Sequence, residues 1–104
     1  SLEVAPGVRL IDTPEFPAEW KGMAQGGIVF LDALRHETEI DWTFFSPAAV
    51  IEETPRLGHF RTGTDQLVVD DKGESKIGFS DYAIAMVDEL ENPQHSRARF
   101  TAAY

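Results

Sequence analysis

The sequence predicts an α/β half-domain built on a parallel sheet, and three features carry that prediction. A long stretch of helical apolar spacing over residues 17–36 leads into a short aromatic run at 40–46. That run places apolar bulk on both sides, as a strand buried on both faces of a parallel sheet does. A second amphipathic segment then precedes an apolar run at 98–104, so helical and extended patterns alternate.

Composition narrows the class. With 104 residues there is material for one core, and 42% apolar with 26% charged residues is the balance of a folded, water-soluble domain. Asp and Glu number 18 against 9 Lys and Arg, and the formal charge of −9 repels a phosphate backbone, so nucleic acid is not an expected partner. The absence of cysteine excludes disulfides and thiolate metal sites. No apolar run approaches the roughly 20 residues of a membrane span, and the first residues lack the pattern of a secretory signal. A cytoplasmic location and no membrane partner are the expectation. The abrupt start at Ser1-Leu2-Glu3-Val4, without Met or a capping pattern, reads as a fragment.

Residues 1–16 are rich in turn formers (Pro6, Gly7, Asp12, Thr13, Pro14) and read as a long loop. Pro17 suits a first helical position, and Trp20, Met23, Ala24, Phe30, Leu31 and Leu34 then fall near one face, giving a helix over 17–36. Gly22, Gly26 and Gly27 each cost on the order of 1 kcal/mol against Ala in such a helix, so packing must hold it or it breaks near Gly26. The strand at 40–46 is stopped by Pro47. A hairpin is expected from Leu67-Val68-Val69 through Asp71-Lys72-Gly73 to Lys76-Ile77. Ser80 caps a helix with Ala83, Met86, Val87 and Leu90 on one face, ended by Asn92-Pro93, and 98–104 forms a terminal strand.

Motifs of chemistry are sparse. His36, His59 and His95 have no metal-ligand partner at short spacing and read as surface or loop residues; no metal site is expected. Asp70-Asp71-Lys72-Gly73 is a turn rather than a calcium loop, and Asp88, Glu89 and Glu91 read as a solvated face. There is no Gly-x-Gly-x-x-Gly, no phosphate loop and no Gly-x-Ser-x-Gly elbow. Trp42 and Phe44 are core candidates.

In order and spacing, Asp41-Trp42-Thr43-Phe44-Phe45-Ser46-Pro47-Ala48, the Gly/Asp-rich stretch after it, Ser80-Asp81-Tyr82-Ala83-Ile84-Ala85 and Glu89-Leu90-Glu91-Asn92-Pro93 resemble one half of a known group. The chain is similar to the C-terminal half of the NADH-flavin-reductase-like proteins, atypical short-chain dehydrogenases related to NmrA-like and epimerase families. The resemblance implies the C-terminal portion of a Rossmann-like parallel-sheet domain, with residues 1–104 a single domain fragment. It implies an NAD(P)H-dependent oxidoreductase as the parent, reducing a flavin or quinone-like small-molecule acceptor with NADP or NAD. The alternatives are a non-catalytic NAD(P)-sensing module and a self-standing interaction domain.

By the same resemblance Ser46, Pro47, Ala48 and Ala49 bind the nicotinamide end of the cofactor, while Ser1, Trp20, Lys21 and Phe45 line the acceptor pocket. Trp20-Lys21 stand in the region where short-chain dehydrogenases carry a Tyr-x-x-x-Lys pair, and neither Tyr82 nor Tyr104 has a Lys four residues on. No catalytic residue is therefore assigned. The phosphate-binding half is missing, so the chain alone is expected to bind cofactor weakly. It is also expected to pair with that half or with itself.

Overall fold

The computed structural model describes residues 1–104 and shows a three-layer arrangement, helix on sheet on helix. The elements are β1 (Glu3–Ala5), β2 (Val8–Arg9), α1 (Lys21–Arg35), β3 (Thr43–Ser46), β4 (Val50–Glu52), β5 (Arg61–Gly63), β6 (Lys76–Gly78), α2 (Phe79–Glu91) and β7 (Ala98–Ala103). β7 is the centre of a three-stranded sheet, order β3-β7-β5, parallel to β3 and antiparallel to β5. Its run of buried residues reflects that position, covered on both faces and paired on both edges. β3 has one partner only, so its outer edge is unpaired; Thr43 is exposed, Phe44 and Phe45 are half-buried and only Ser46 is buried.

Alternation along β3 sorts the layers. Phe44 points toward α1, meeting Phe30 edge-to-face at 5.9 Å between ring centres. Phe45 points the other way and lies stacked between Tyr82 of α2 and Phe100 of β7, 4.2 Å from each. His95 continues the stack on Phe100 at 4.7 Å. The main core includes this second side: Ile77, Ala85 and Ala102 are buried, with Phe45 and Tyr82 packed against them, and Ala103, next along β7, joins the same cluster. Alanines at the centre let α2 approach the sheet closely, and the aromatic stack fills the remaining volume.

Several expectations need correction. The predicted hairpin over 67–77 does not form: residues 70–73 do make the turn, with Asp70 Oδ1 accepting from the N–H groups of Lys72 and Glu74 and Gly73 at φ 78°, but Leu67–Val69 is not a strand. Lys76–Gly78 instead pairs in parallel with Val50–Glu52, a partner 26 residues away that local pattern did not reveal. α1 starts after a 3-10 turn at Ala18–Trp20, later than the expected Pro17, and runs unbroken through its three glycines. A Cβ at Gly22, Gly26 or Gly27 would meet nothing within 4 Å, so no packing within the chain demands glycine there. Gly78, not Ser80, is the N-cap of α2; a Cβ on it would sit 2.5 Å from Thr54 Oγ1, which excludes any side chain.

The largest departure concerns which face of α2 is inside. Ala83, Met86, Val87 and Leu90 face outward, Leu90 being 75% exposed, while Asp81 and Ala85 are buried. On α1 the same occurs in part: Leu31 is buried, but Met23, Val29 and Phe30 are exposed. The strand expected to be buried on both faces is thus an edge strand, with Trp42 buried just before it.

Candidate functional site

The C-terminal end of β3 opens into a cavity of about 450 Å³, inside the range of roughly 300–1,000 Å³ usual for small-molecule sites. Pro47 ends the strand because it cannot donate to the ladder, and the chain turns there through Ala48 and Ala49 before re-entering the sheet layer as β4. The loop is pinned from behind. Ala49 N–H donates to Ser75 Oγ at 3.3 Å, and Val50 N–H donates to the Ser75 carbonyl at 3.0 Å. Ser75 is buried and was not picked out by sequence reasoning, since a lone Ser before a strand carries no pattern.

Four of the sequence-derived candidates, Ser46, Pro47, Ala48 and Ala49, line this cavity together with Phe45. Ser1 and Trp20 reach it from elsewhere in the chain: Ser1 Oγ accepts from Ile11 N–H at 3.1 Å, and Trp20 packs edge-to-face on Phe16 at 6.2 Å. Lys21 is the exception. It is the first residue of α1, exposed and outside the lining, because the late start of the helix turns it away from the Trp20 side. Leu2, Phe16 and Met23 join the lining without a sequence signal for it, and Phe44, expected chiefly in the core, lines it too. Eleven of the 15 lining residues are hydrophobic and none carries an ionisable side chain, so the side chains of the walls favour an uncharged, flat ligand and supply no acid or base.

At the start of α2, a buried carboxylate ties three segments. Asp81, fully buried in the first turn of α2, accepts from the N–H groups of Leu57 at 2.9 Å and Gly58 at 3.0 Å and from the Tyr104 hydroxyl at 2.5 Å. The Tyr104 oxygen in turn accepts from Gly78 N–H at 3.0 Å. Burial pushes the Asp81 carboxyl up, but the three donors and the nearby His59 outweigh it and hold the group below the usual carboxylate range. Burial and the facing carboxylate push the Tyr104 phenol up.

At the far end of α2, Glu89 accepts from Gln94 N–H at 2.9 Å, His95 N–H at 2.8 Å and His95 Nδ1 at 2.8 Å. It is therefore not part of a solvated face, and His95, half-buried and stacked on Phe100, is not a plain surface histidine. Burial pushes the Glu89 carboxyl up, but these hydrogen bonds together outweigh it, for a net depression.

Comparison with known proteins places this geometry. A crystal structure of a candidate NADH-flavin reductase from Streptococcus pneumoniae superposes with TM-score 0.91 at 36% identity, covering 99% of this chain and 50% of that one. The chain is the counterpart of the C-terminal half of an NADH-flavin-reductase-like protein. A candidate epimerase from Bacteroides thetaiotaomicron matches with TM-score 0.93 and 47% identity over 100% of this chain and 49% of that one. A candidate exported protein from Burkholderia pseudomallei matches with TM-score 0.93 and 50% identity over 99% and 50%. In sequence, the uncharacterised Bacillus subtilis protein YwnB is 44% identical over 101 residues, 96% of this chain and 47% of that protein. No family profile matches. The chain thus spans about half the length of the relatives it matches, and its fold is the C-terminal portion of a Rossmann-like NAD(P)-binding protein. No helix is long and apolar enough to cross a membrane.

Proposed function

We propose that the chain supplies the acceptor side of the site of an NAD(P)H-dependent oxidoreductase of the atypical short-chain dehydrogenase, NmrA-related kind, working on a flavin or quinone-like ring in the cytoplasm. The observation that carries this reading is the convergence of Ser1, Trp20 and residues 45–49 on one apolar cavity at the C-terminal end of a parallel strand. Ligands of open α/β sheets bind at that end. The residues present fit the nicotinamide end of NADP or NAD and nothing beyond it: the walls suit a flat ring, and no Gly-rich turn is available for the pyrophosphate. When bound, the cofactor supplies a hydride. This chain's part is to exclude water with Phe16, Trp20 and Phe44, and to hold the two rings against the loop at 47–49. With no ionisable side chain in the lining, the balancing proton comes from solvent or from the other half of the site.

The same lining also favours a second reading, a cofactor-sensing module that binds without turnover. Both readings need a partner for the unpaired edge of β3 and the exposed apolar face of α1. We assign that role to the N-terminal half of a protein of this kind, because the relatives are about twice as long as the chain and a right-handed crossover into β3 through α1 sets a parallel strand at that edge. The test adds the separately produced N-terminal half of the Burkholderia relative and follows NADH and NADPH binding, then oxidation with flavins and quinones as acceptors. Binding and turnover only in the mixture support the enzyme, and binding without turnover supports the sensor. Micromolar cofactor binding by the chain alone refutes the division of the site.

A further inference from the structure

We infer that the Ser46 hydroxyl is the specificity-determining contact of the cavity, and that it selects an uncharged planar ring bearing a carbonyl oxygen over a plain aromatic hydrocarbon. The inference rests on the cavity being the ligand site proposed above and deepens it to a ligand class. Ser46 is 6% exposed and lines the cavity, yet its hydroxyl finds no hydrogen-bond partner within the chain. Its parallel register partner on β7, Thr101, is fully buried and leaves its own Oγ1 unpaired. An unpaired buried hydroxyl such as that of Thr101 is unusual in a folded interior, and the Ser46 hydroxyl beside it, engaged by no group of the chain, is open to the cavity.

The alternation of β3 puts Ser46 on the same side as Phe44, beneath α1. A ligand in the cavity therefore meets aromatic walls from Phe16, Trp20 and Phe44 and an unsatisfied hydroxyl at the strand end. The other hydroxyl in the lining, on Ser1, is already engaged by Ile11 N–H. Ser46 is left as the donor best placed to discriminate. A carbonyl oxygen satisfies it, whereas a hydrocarbon of the same shape buries it unpaired, and this difference is the source of selection. An anionic ligand is disfavoured at the same point, because no side chain of the walls is cationic and the chain carries −9 overall.

The test is calorimetric titration of the chain with 2-methyl-1,4-naphthoquinone and with 2-methylnaphthalene, its carbonyl-free counterpart. The chain contains no cysteine, so the quinone has no thiol to alkylate. The expected result is tighter binding of the quinone by about fivefold, the value of one net hydrogen bond. Ser46→Ala removes that preference, chiefly by tightening hydrocarbon binding, because no hydroxyl is then buried unpaired; Ser80→Ala, on the exposed side of α2, changes neither. Circular dichroism confirms that each variant keeps its fold. Equal binding of the two ligands, a preference that survives Ser46→Ala, or no binding of either overturns the inference. A third arm uses 1-methyl-1,4-dihydronicotinamide: Ser46-dependent binding of that ring in place of the quinone assigns the hydroxyl to the cofactor and overturns its role toward the acceptor. None of these readouts involves turnover, so failure of the oxidoreductase reading shows separately, as an absence of NAD(P)H oxidation in the reconstituted protein.

Discussion

Replacing Asp81 is the most direct test of what ties the start of α2 to its neighbouring segments. Asp81→Ala removes the acceptor for Leu57 N–H, Gly58 N–H and the Tyr104 hydroxyl at once. A hydrogen bond to an ionised acceptor contributes about 1.5–3 kcal/mol. Leu57 and Gly58 lie in an exposed loop whose amides can turn to water, so most of the loss falls on Tyr104, whose hydroxyl stays wedged against Gly78 and Thr54. The net cost is about 3 kcal/mol, or roughly 10–20 °C in Tm for a domain of this size.

Protonation gives an independent check. The Asp81 carboxyl sits below its ordinary value in the folded chain, so its contribution is complete above about pH 4 and is lost as pH falls through the folded-state value. Asp81→Asn keeps the shape but removes the charge, and its stability should decline less steeply than that of the parent below pH 4. Urea denaturation of the parent, Asp81→Asn, Tyr104→Phe and the double variant from pH 3 to 7 measures both effects. A coupling between the two sites below about 0.5 kcal/mol, or acid limbs of equal slope in parent and Asp81→Asn, would refute the reasoning.

Three further outcomes follow from the same structure. Phe45→Ala, which empties the middle of the stack between Tyr82 and Phe100, should cost about 3–4 kcal/mol by denaturant titration, and Phe45→Leu clearly less. Gly26→Ala should stabilise the isolated chain by about 0.5–1 kcal/mol, because a Cβ there meets only open space in an unbroken helix; thermal melts showing a loss would contradict the packing described for α1. Glu89→Gln should destabilise by about 1–2 kcal/mol at pH 7, since the carboxylate holds the turn at Gln94 and His95. Its folded-state value is depressed, so the difference from the parent should close as pH falls below about 4.

What the sequence made legible depended on whether the relevant partner was local. Pro47 after an aromatic run marks a strand end wherever that strand lies, whereas residues 46–49 are binding candidates by the family likeness alone, and the structure sets them together on one cavity wall. β4, only three residues long, is defined by pairing with Lys76–Gly78 across 23 intervening residues, so Ile77 was assigned to a hairpin that local turn chemistry made plausible. Lys21 was misplaced by a shift of the helix start. Asp81 escaped notice because a carboxylate in the first turn of a helix is ordinarily explained by the dipole alone. Nothing in its neighbourhood announced that Tyr104, 23 residues on, would share its burial.

The misreading of α2 differs in kind. Met86, Val87 and Leu90 do form an apolar stripe, as the spacing indicates, but in this chain the stripe faces outward and the sheet receives Ala85 and Asp81. Helical periodicity reports that a face is apolar and carries no label for what covers it. α1 has exposed apolar residues of its own, Met23 at the cavity, Phe30 beside Phe44, and Val29, on the opposite side of the sheet from α2. Each outer layer therefore carries apolar surface beyond what the sheet uses, and β3 has a free edge between those layers. A single added unit of strand with flanking helices is the simplest body that meets all three surfaces together, since a partner on one helix alone would leave the edge unpaired. A second copy of the chain that pairs β3 on β3 about a twofold axis does so antiparallel, whereas a right-handed crossover through α1 calls for a parallel neighbour at that edge. The geometry of that one edge thus separates self-association from completion by an N-terminal half.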